Sequence, residues 1–132
     1  MTEDPTRIQV LCVDDHPIVR QGIQMLLSAE PDMALVAEAA NGREAIQQFR
    51  AHRPDVTLMD LQMPGMGGFE ATALIREQER MWGGYTPIIA VTAHAMAGDR
   101  DRCLAAGMDD YVSKPIDAAL LFEKLENLAV AA

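Results

Sequence analysis

The sequence predicts an α/β protein built from parallel βα units. Short β-rich apolar runs alternate with segments of helical period, five of each, and several of the runs close on a charged residue. The first strand is Ile8 to Val13, followed at once by Asp14 and Asp15. Val19, Ile23, Leu26 and Leu27 then fall at helical spacing, and Pro17 stands near the helix start, where its missing N–H costs little. The second strand spans residues 33–38. Asn41-Gly42 opens the second helix, whose inner face is Ala45, Ile46 and Phe49. The third strand, residues 56–59, is closed by Asp60, and the third helix runs over about residues 68–78. Residues 80–86, with Trp82 and the pair Gly83-Gly84, form a longer loop in which Trp82 is expected to cover the core edge. The fourth strand is residues 87–92. The fourth helix covers about residues 96–106 and is stopped by Gly107 in a left-handed cap. The fifth strand, residues 111–113, leads into Lys114-Pro115, and Asp117 caps a last helix facing Leu121, Leu125 and Leu128 inward.

If the strands are parallel neighbours, Asp14, Asp15, Asp60 and Lys114 meet at one carboxyl edge of the sheet, where open α/β sheets place their ligand sites. Carboxylates gathered there repel by roughly 3 kcal/mol per pair, taking ~5 Å and an effective dielectric of ~20. A divalent cation offsets that repulsion.

At 132 residues and 49% apolar, the chain suits one compact domain over 1–132, its core about residues 7–130. A net charge of −9 argues against direct binding of nucleic acid or an anionic membrane. Residues 1–5 lack the basic and apolar regions of a signal peptide, and no apolar run approaches the ~20 residues of a membrane span, so a cytoplasmic location is expected. Cys12 and Cys103 read as reduced, packed thiols.

Asp14-Asp15, Asp60 within Leu58-Met59-Asp60-Leu61-Gln62-Met63-Pro64, Thr92-Ala93 and Lys114-Pro115 resemble, in order and over almost the whole chain, the receiver domains of two-component response regulators. The resemblance implies a flavodoxin-like (βα)5 doubly wound sheet of strand order 2-1-3-4-5. It also implies that Asp60 accepts a phosphoryl group from a histidine kinase or histidine phosphotransfer protein. Mg²⁺ would be held by Asp15 and Asp60 directly, by Asp14 through water, and by the backbone carbonyl of Gln62. Lys114 would pair with Asp60 at rest and with a phosphoryl oxygen afterward. Thr92 would bind another oxygen, with the small Ala93 admitting the phosphate, and Tyr111 would swing as Thr92 moves, changing the surface of the fourth helix, fifth strand and fifth helix. Gln62 and His94 would tune the lifetime of the product. In this family Lys-Pro is cis, and the donor docks on the first helix around Pro17, Val19, Gln21 and Met25 and on residues 115–118.

Blander readings stand beside these. Asp14 and Asp15 serve equally as acids near a helix N-terminus, Thr92 as a β-branched strand residue, and Tyr111 as an edge aromatic. His16 is read as a helix-start residue rather than a ligand, since no second histidine lies near it in sequence. Met63, Met66 and Met96 are read as packing or loop cover. A Mg²⁺-dependent phosphatase with an aspartyl nucleophile expects spaced rather than adjacent acids on the first strand. A receiver-like module that is never phosphorylated expects the loss of Asp15, Asp60 or Lys114, and all are present. No output segment is recognisable in the sequence. Residues 12–22 resemble receivers of helix-turn-helix regulators, whereas residues 87–115 resemble receivers of hybrid sensor kinases. The style changes near residues 65–69, and both drift and recombination account for it.

Overall fold

The computed structural model describes residues 7–63, 65–93 and 98–131. The elements alternate as β1 (Ile8–Val13), α1 (Pro17–Ser28), β2 (Met33–Ala39), α2 (Gly42–His52), β3 (Val56–Asp60), α3 (Gly68–Trp82), β4 (Ile88–Thr92), α4 (Asp99–Ala105), β5 (Asp110–Ser113) and α5 (Ala118–Ala131). The strands form one parallel sheet in the order β2-β1-β3-β4-β5, the flavodoxin-like order expected.

Alternation along the strands builds a core on each face. Leu11 and Val13 of β1 pack with Ala45 and Phe49 of α2 and Ala71 and Ile75 of α3. Val10 and Cys12 turn the other way, onto Ile23 and Leu27 of α1 and Leu121 and Leu125 of α5. Both cysteines are buried and unpaired. The strands are apolar on both faces because helices cover both.

The registers level the carboxyl ends. Val13 lies opposite Met59, Asp60 opposite Val91, and Thr92 opposite Ser113, so Asp14, Asp60, Thr92 and Lys114 emerge at one edge. Gly68 brings α3 onto that edge: a Cβ there would stand 2.4 Å from the Asp60 carbonyl oxygen, a contact only glycine escapes. Asn41 accepts the Glu44 N–H at 2.9 Å and Asp117 accepts that of Leu120 at 3.2 Å, so both expected caps form. Gly107 takes φ 102° just past α4.

Two expectations need correction at α3. The helix continues through Arg80, Met81 and Trp82 instead of ending near residue 78, and the loop begins at Gly83. Glu79, buried at 6%, explains the extension: its carboxylate takes the Arg76 guanidinium at 2.6 Å and the Thr86 N–H at 2.6 Å, holding the last turn against β4. Trp82 accordingly stands 56% exposed, with the Arg50 guanidinium 5.2 Å from its ring centre, and does not cover the core. The expected start of the fourth helix at Met96 lies outside the described residues.

Candidate functional site: an acidic edge closed by one lysine

Asp14 follows β1 and is 1% exposed; Asp60 ends β3 at 3%. Asp60 Oδ1 accepts the Gln62 N–H at 3.2 Å, a turn that points the other oxygen, Oδ2, into the cluster. Lys114, after β5, places Nζ 3.0 Å from Asp14 Oδ2 and 3.7 Å from Asp60 Oδ2. Its backbone N–H is fixed by the Thr92 carbonyl at 2.8 Å, and the Lys114-Pro115 peptide is cis, as expected. The pairing is thus tighter to Asp14 than to Asp60, whereas the sequence reading gave Lys114 to Asp60.

Asp14 Oδ2, Asp15 Oδ1 and Asp60 Oδ2 are all buried; the first is met by the Lys114 ammonium at 3.0 Å and the second by His16 Nδ1 at 3.1 Å, while Asp60 Oδ2 accepts no hydrogen bond among the described residues. Burial, foremost, pushes the Asp60 carboxyl above its ordinary range; Asp14 and Asp15 push the same way, while the Gln62 N–H and Lys114 oppose them. Three buried carboxylate oxygens sharing one lysine, one of them accepting no hydrogen bond among the described residues, suit a hard divalent cation.

Thr92 ends β4, 4% exposed. Tyr111 lies opposite Ala90 in the ladder, two residues before Thr92's own partner Ser113, so Thr92 and Tyr111 project from the same sheet face on neighbouring strands. Tyr111 packs against the α2–α3 core, with Lys124 Nζ 5.6 Å from its ring centre. Gln62 is exposed beside the site. His94, and with it half of the expected rate-tuning pair, lies outside the described residues.

His16 does start α1, as the residue preceding Pro17, but its ring makes no helix cap. Instead Nδ1 sits 3.0 Å from Asp14 Oδ1 and 3.1 Å from Asp15 Oδ1. Arg20, one turn on, donates to the Asp14 carbonyl at 2.6 Å. The available signal was adjacency: a residue directly after an acid pair at a strand end shares its turn.

Residues 10–126 match the response regulator receiver domain family. The chain belongs to that family. It is 42% identical over 124 residues to hybrid signal transduction histidine kinase I of Dictyostelium discoideum, an alignment covering 90% of this chain and 7% of that protein. It is 46% identical over 110 residues to the sensor histidine kinase GacS of Pseudomonas protegens, covering 82% of this chain and 12% of the relative. A two-component response regulator of the LuxR family from Aurantimonas sp. superposes with a TM-score of 0.84 at 38% identity, covering 95% of this chain and 86% of that one. Kinase-linked and regulator-type receivers both match over most of the chain. The receiver spans about a tenth of the length of those two kinases. Among the described residues no helix is long and apolar enough to cross a membrane.

Proposed function

We propose that residues 1–132 act as one receiver unit in which Asp60 is the phosphoacceptor. The observation that carries this reading is Asp60 Oδ2: buried, accepting no hydrogen bond among the described residues, and facing an ammonium 3.7 Å away at the sheet edge. A carboxylate is a weak nucleophile toward a charged phosphoryl group, so the protein's contribution is positioning and charge neutralisation. Asp60 Oδ2 attacks phosphorus as the P–N bond to the donor imidazole breaks, and the leaving nitrogen takes a proton. Lys114 then shifts its pairing toward a phosphoryl oxygen, and the Thr92 hydroxyl bonds a second. Mg²⁺ fits the donor set of Asp14, Asp15, Asp60 and the Gln62 carbonyl, and when bound supplies neutralisation of the phosphoryl oxygens. Gln62 and His94, the positions that follow Asp60 and Thr92 by two, set the lifetime of the acyl phosphate. The protein is therefore a signalling phosphoacceptor that catalyses its own labelling and its own reset, in the cytoplasm.

For the donor, a histidine kinase or histidine phosphotransfer protein, the supporting feature is an apolar groove between α1 and the segment after β5. Val19, Ile23, Leu26 and Ile116 line it, with Lys114 at its site end. Ile18 and Met25 stand 81% and 72% exposed beside it, ready to be covered by a partner.

The test is incubation with acetyl phosphate and Mg²⁺ followed by intact-mass measurement. One added phosphoryl group is expected, absent in Asp60→Asn and absent with chelator. Continuous phosphate release without a labelled intermediate supports a phosphatase instead, and no label with any donor supports a silent interaction module.

A further inference from the structure

His16 gives the acidic site something that oxygen coordination of Mg²⁺ does not use: a nitrogen donor. One ligand atom from each of Asp14, Asp15, Asp60 and His16 lies within 4.8 Å of all the others. Two donors bound side by side to one cation, at ~2.1 Å and about a right angle, stand ~3.0 Å apart. His16 Nδ1 is 3.0 Å from Asp14 Oδ1 and 3.1 Å from Asp15 Oδ1, at that separation from both. Asp60 Oδ2 is buried and accepts no hydrogen bond among the described residues although its side chain is only 5% exposed, and Asp14 Oδ2, on a side chain 2% exposed, is met by the Lys114 ammonium at 3.0 Å. The imidazole itself is 62% exposed, so its far nitrogen reaches solvent and the ring is free to adjust.

We propose that His16 Nδ1 is an inner-sphere ligand in a mixed nitrogen–oxygen centre, which takes an imidazole-accepting divalent cation such as Ni²⁺, Co²⁺ or Zn²⁺ with Asp14, Asp15 and Asp60. Mg²⁺ prefers oxygen and water, so it uses the same carboxylates without His16, whereas borderline metals gain a bond from the ring. On ligation Nδ1 gives up any proton to solvent and donates its lone pair to the metal. A cation held this way sits on the carboxylate proposed as phosphoacceptor, with the imidazole closing one side. It competes with Mg²⁺ and withholds Asp60 from the donor. Metal ligation itself rests only on the observed donor cluster; that competitive effect rests also on the proposed phosphoryl transfer.

The test uses the full chain at pH 7.5 with Ni²⁺ alone, then Mg²⁺ alone, by calorimetric titration, with pulsed EPR of the Cu²⁺-loaded protein, Cu²⁺ being an imidazole-accepting cation, reporting directly bound nitrogen. His16→Ala should weaken Ni²⁺ about tenfold or more and leave Mg²⁺ within about twofold. It should also remove the nitrogen coupling, which His52→Gln and His94→Gln retain. An unchanged Ni²⁺ affinity in His16→Ala, a nitrogen coupling that disappears with His94→Gln instead, or an equal loss of both metals overturns the proposal. Acetyl phosphate labelling with Mg²⁺ is scored separately. If Asp60 takes no phosphoryl group while His16-dependent Ni²⁺ binding persists, the proposed function fails and the metal centre stands.

Discussion

The ammonium of Lys114 lies 0.7 Å closer to Asp14 than to Asp60, at 3.0 Å against 3.7 Å. In the unphosphorylated protein the lysine therefore chiefly neutralises the more deeply buried of its two acids. Asp60, whose second oxygen accepts no hydrogen bond among the described residues and meets Lys114 only at 3.7 Å, is left under-compensated. Lys114→Ala strands Asp14 as a buried charge, and breaking such pairs is strongly destabilising. A loss of about 2 kcal/mol is expected, below the full buried-pair value because Lys114 remains 21% exposed. Thermal melts should show a drop of roughly 8 °C, partly recovered by millimolar Mg²⁺. A variant that melts with the parent would remove Lys114 from the charge balance.

Asp60 should make the opposite contribution. Burial and its acidic neighbours raise its folded pKa above the ordinary 3.8. A raised pKa gives stability that is fully present below the unfolded value and is lost as pH climbs through the folded value. At neutral pH the ionised group therefore opposes folding. Metal-free Asp60→Asn should melt higher at pH 7 by on the order of 1 kcal/mol, about 4 °C, and the difference should fade below about pH 4. In saturating Mg²⁺ the parent should gain relative to the variant, since the cation stabilises by about 2.7 kcal/mol at a hundredfold excess over Kd. A variant less stable than the parent without metal would contradict the repulsion argument.

The strand ends were legible because apolar runs closed by charged residues leave little freedom of register, and Gly107 and Asp117 carry their own local chemistry. The end of α3 was not. Gly83-Gly84 and the polar residues before them look like a loop to a periodicity reading, and what sustains the helix is a through-space network. Arg76 donates to the Gly107 carbonyl at 2.9 Å, the Thr86 carbonyl at 2.9 Å, Glu79 at 2.6 Å and Asp109 at 3.0 Å. The helix-start role of His16 was readable from Pro17, whereas the turn of its ring toward the adjacent Asp14 and Asp15 is set by the local fold.

That Arg76 network yields its own prediction. Glu79 is 6% exposed, and Asp109 also holds the Ile88 N–H at 2.8 Å and the Tyr85 hydroxyl. Arg76→Ala leaves both carboxylates without their common cation and should cost about 3–5 kcal/mol, seen as a urea midpoint shifted far down. Arg76→Lys should recover less than half, because one ammonium cannot replace a planar fork reaching four acceptors. Full rescue by lysine would reduce the network to simple charge.

Thr92 and Tyr111 share one face of β4 and β5. If phosphorylation draws Thr92 toward the site, the space it leaves lies on Tyr111's side of the sheet, and the ring's movement changes the α4–β5–α5 surface. Thr92→Ala should still take label, since it is not the nucleophile, but should lose most of the amide shifts that beryllofluoride induces across α4, β5 and α5. A parent-like shift pattern in that variant would place the coupling elsewhere.

Donor recognition should separate cleanly from chemistry. Met25 is 72% exposed on the rim of the α1 groove, so Met25→Glu should change stability by less than about 0.5 kcal/mol. Met25 is not one of the clustered acidic-edge ligands, so labelling by acetyl phosphate should proceed near the parent rate. Transfer from a phosphohistidine protein should slow about tenfold or more, because a charge now sits where an apolar side chain is to be covered. The two sequence styles sharpen the expectation: Val19 and Gly22 of the groove's α1 wall lie in the regulator-like stretch and Pro115 ends the kinase-like one. If the chain is recombinant, donors of both types should be slow on the unmodified protein, and changing α1 residues toward the hybrid-kinase pattern should rescue one type alone. Fast, selective transfer from one donor to the unmodified chain would show a groove matched along its whole length, and the change of style would then be drift.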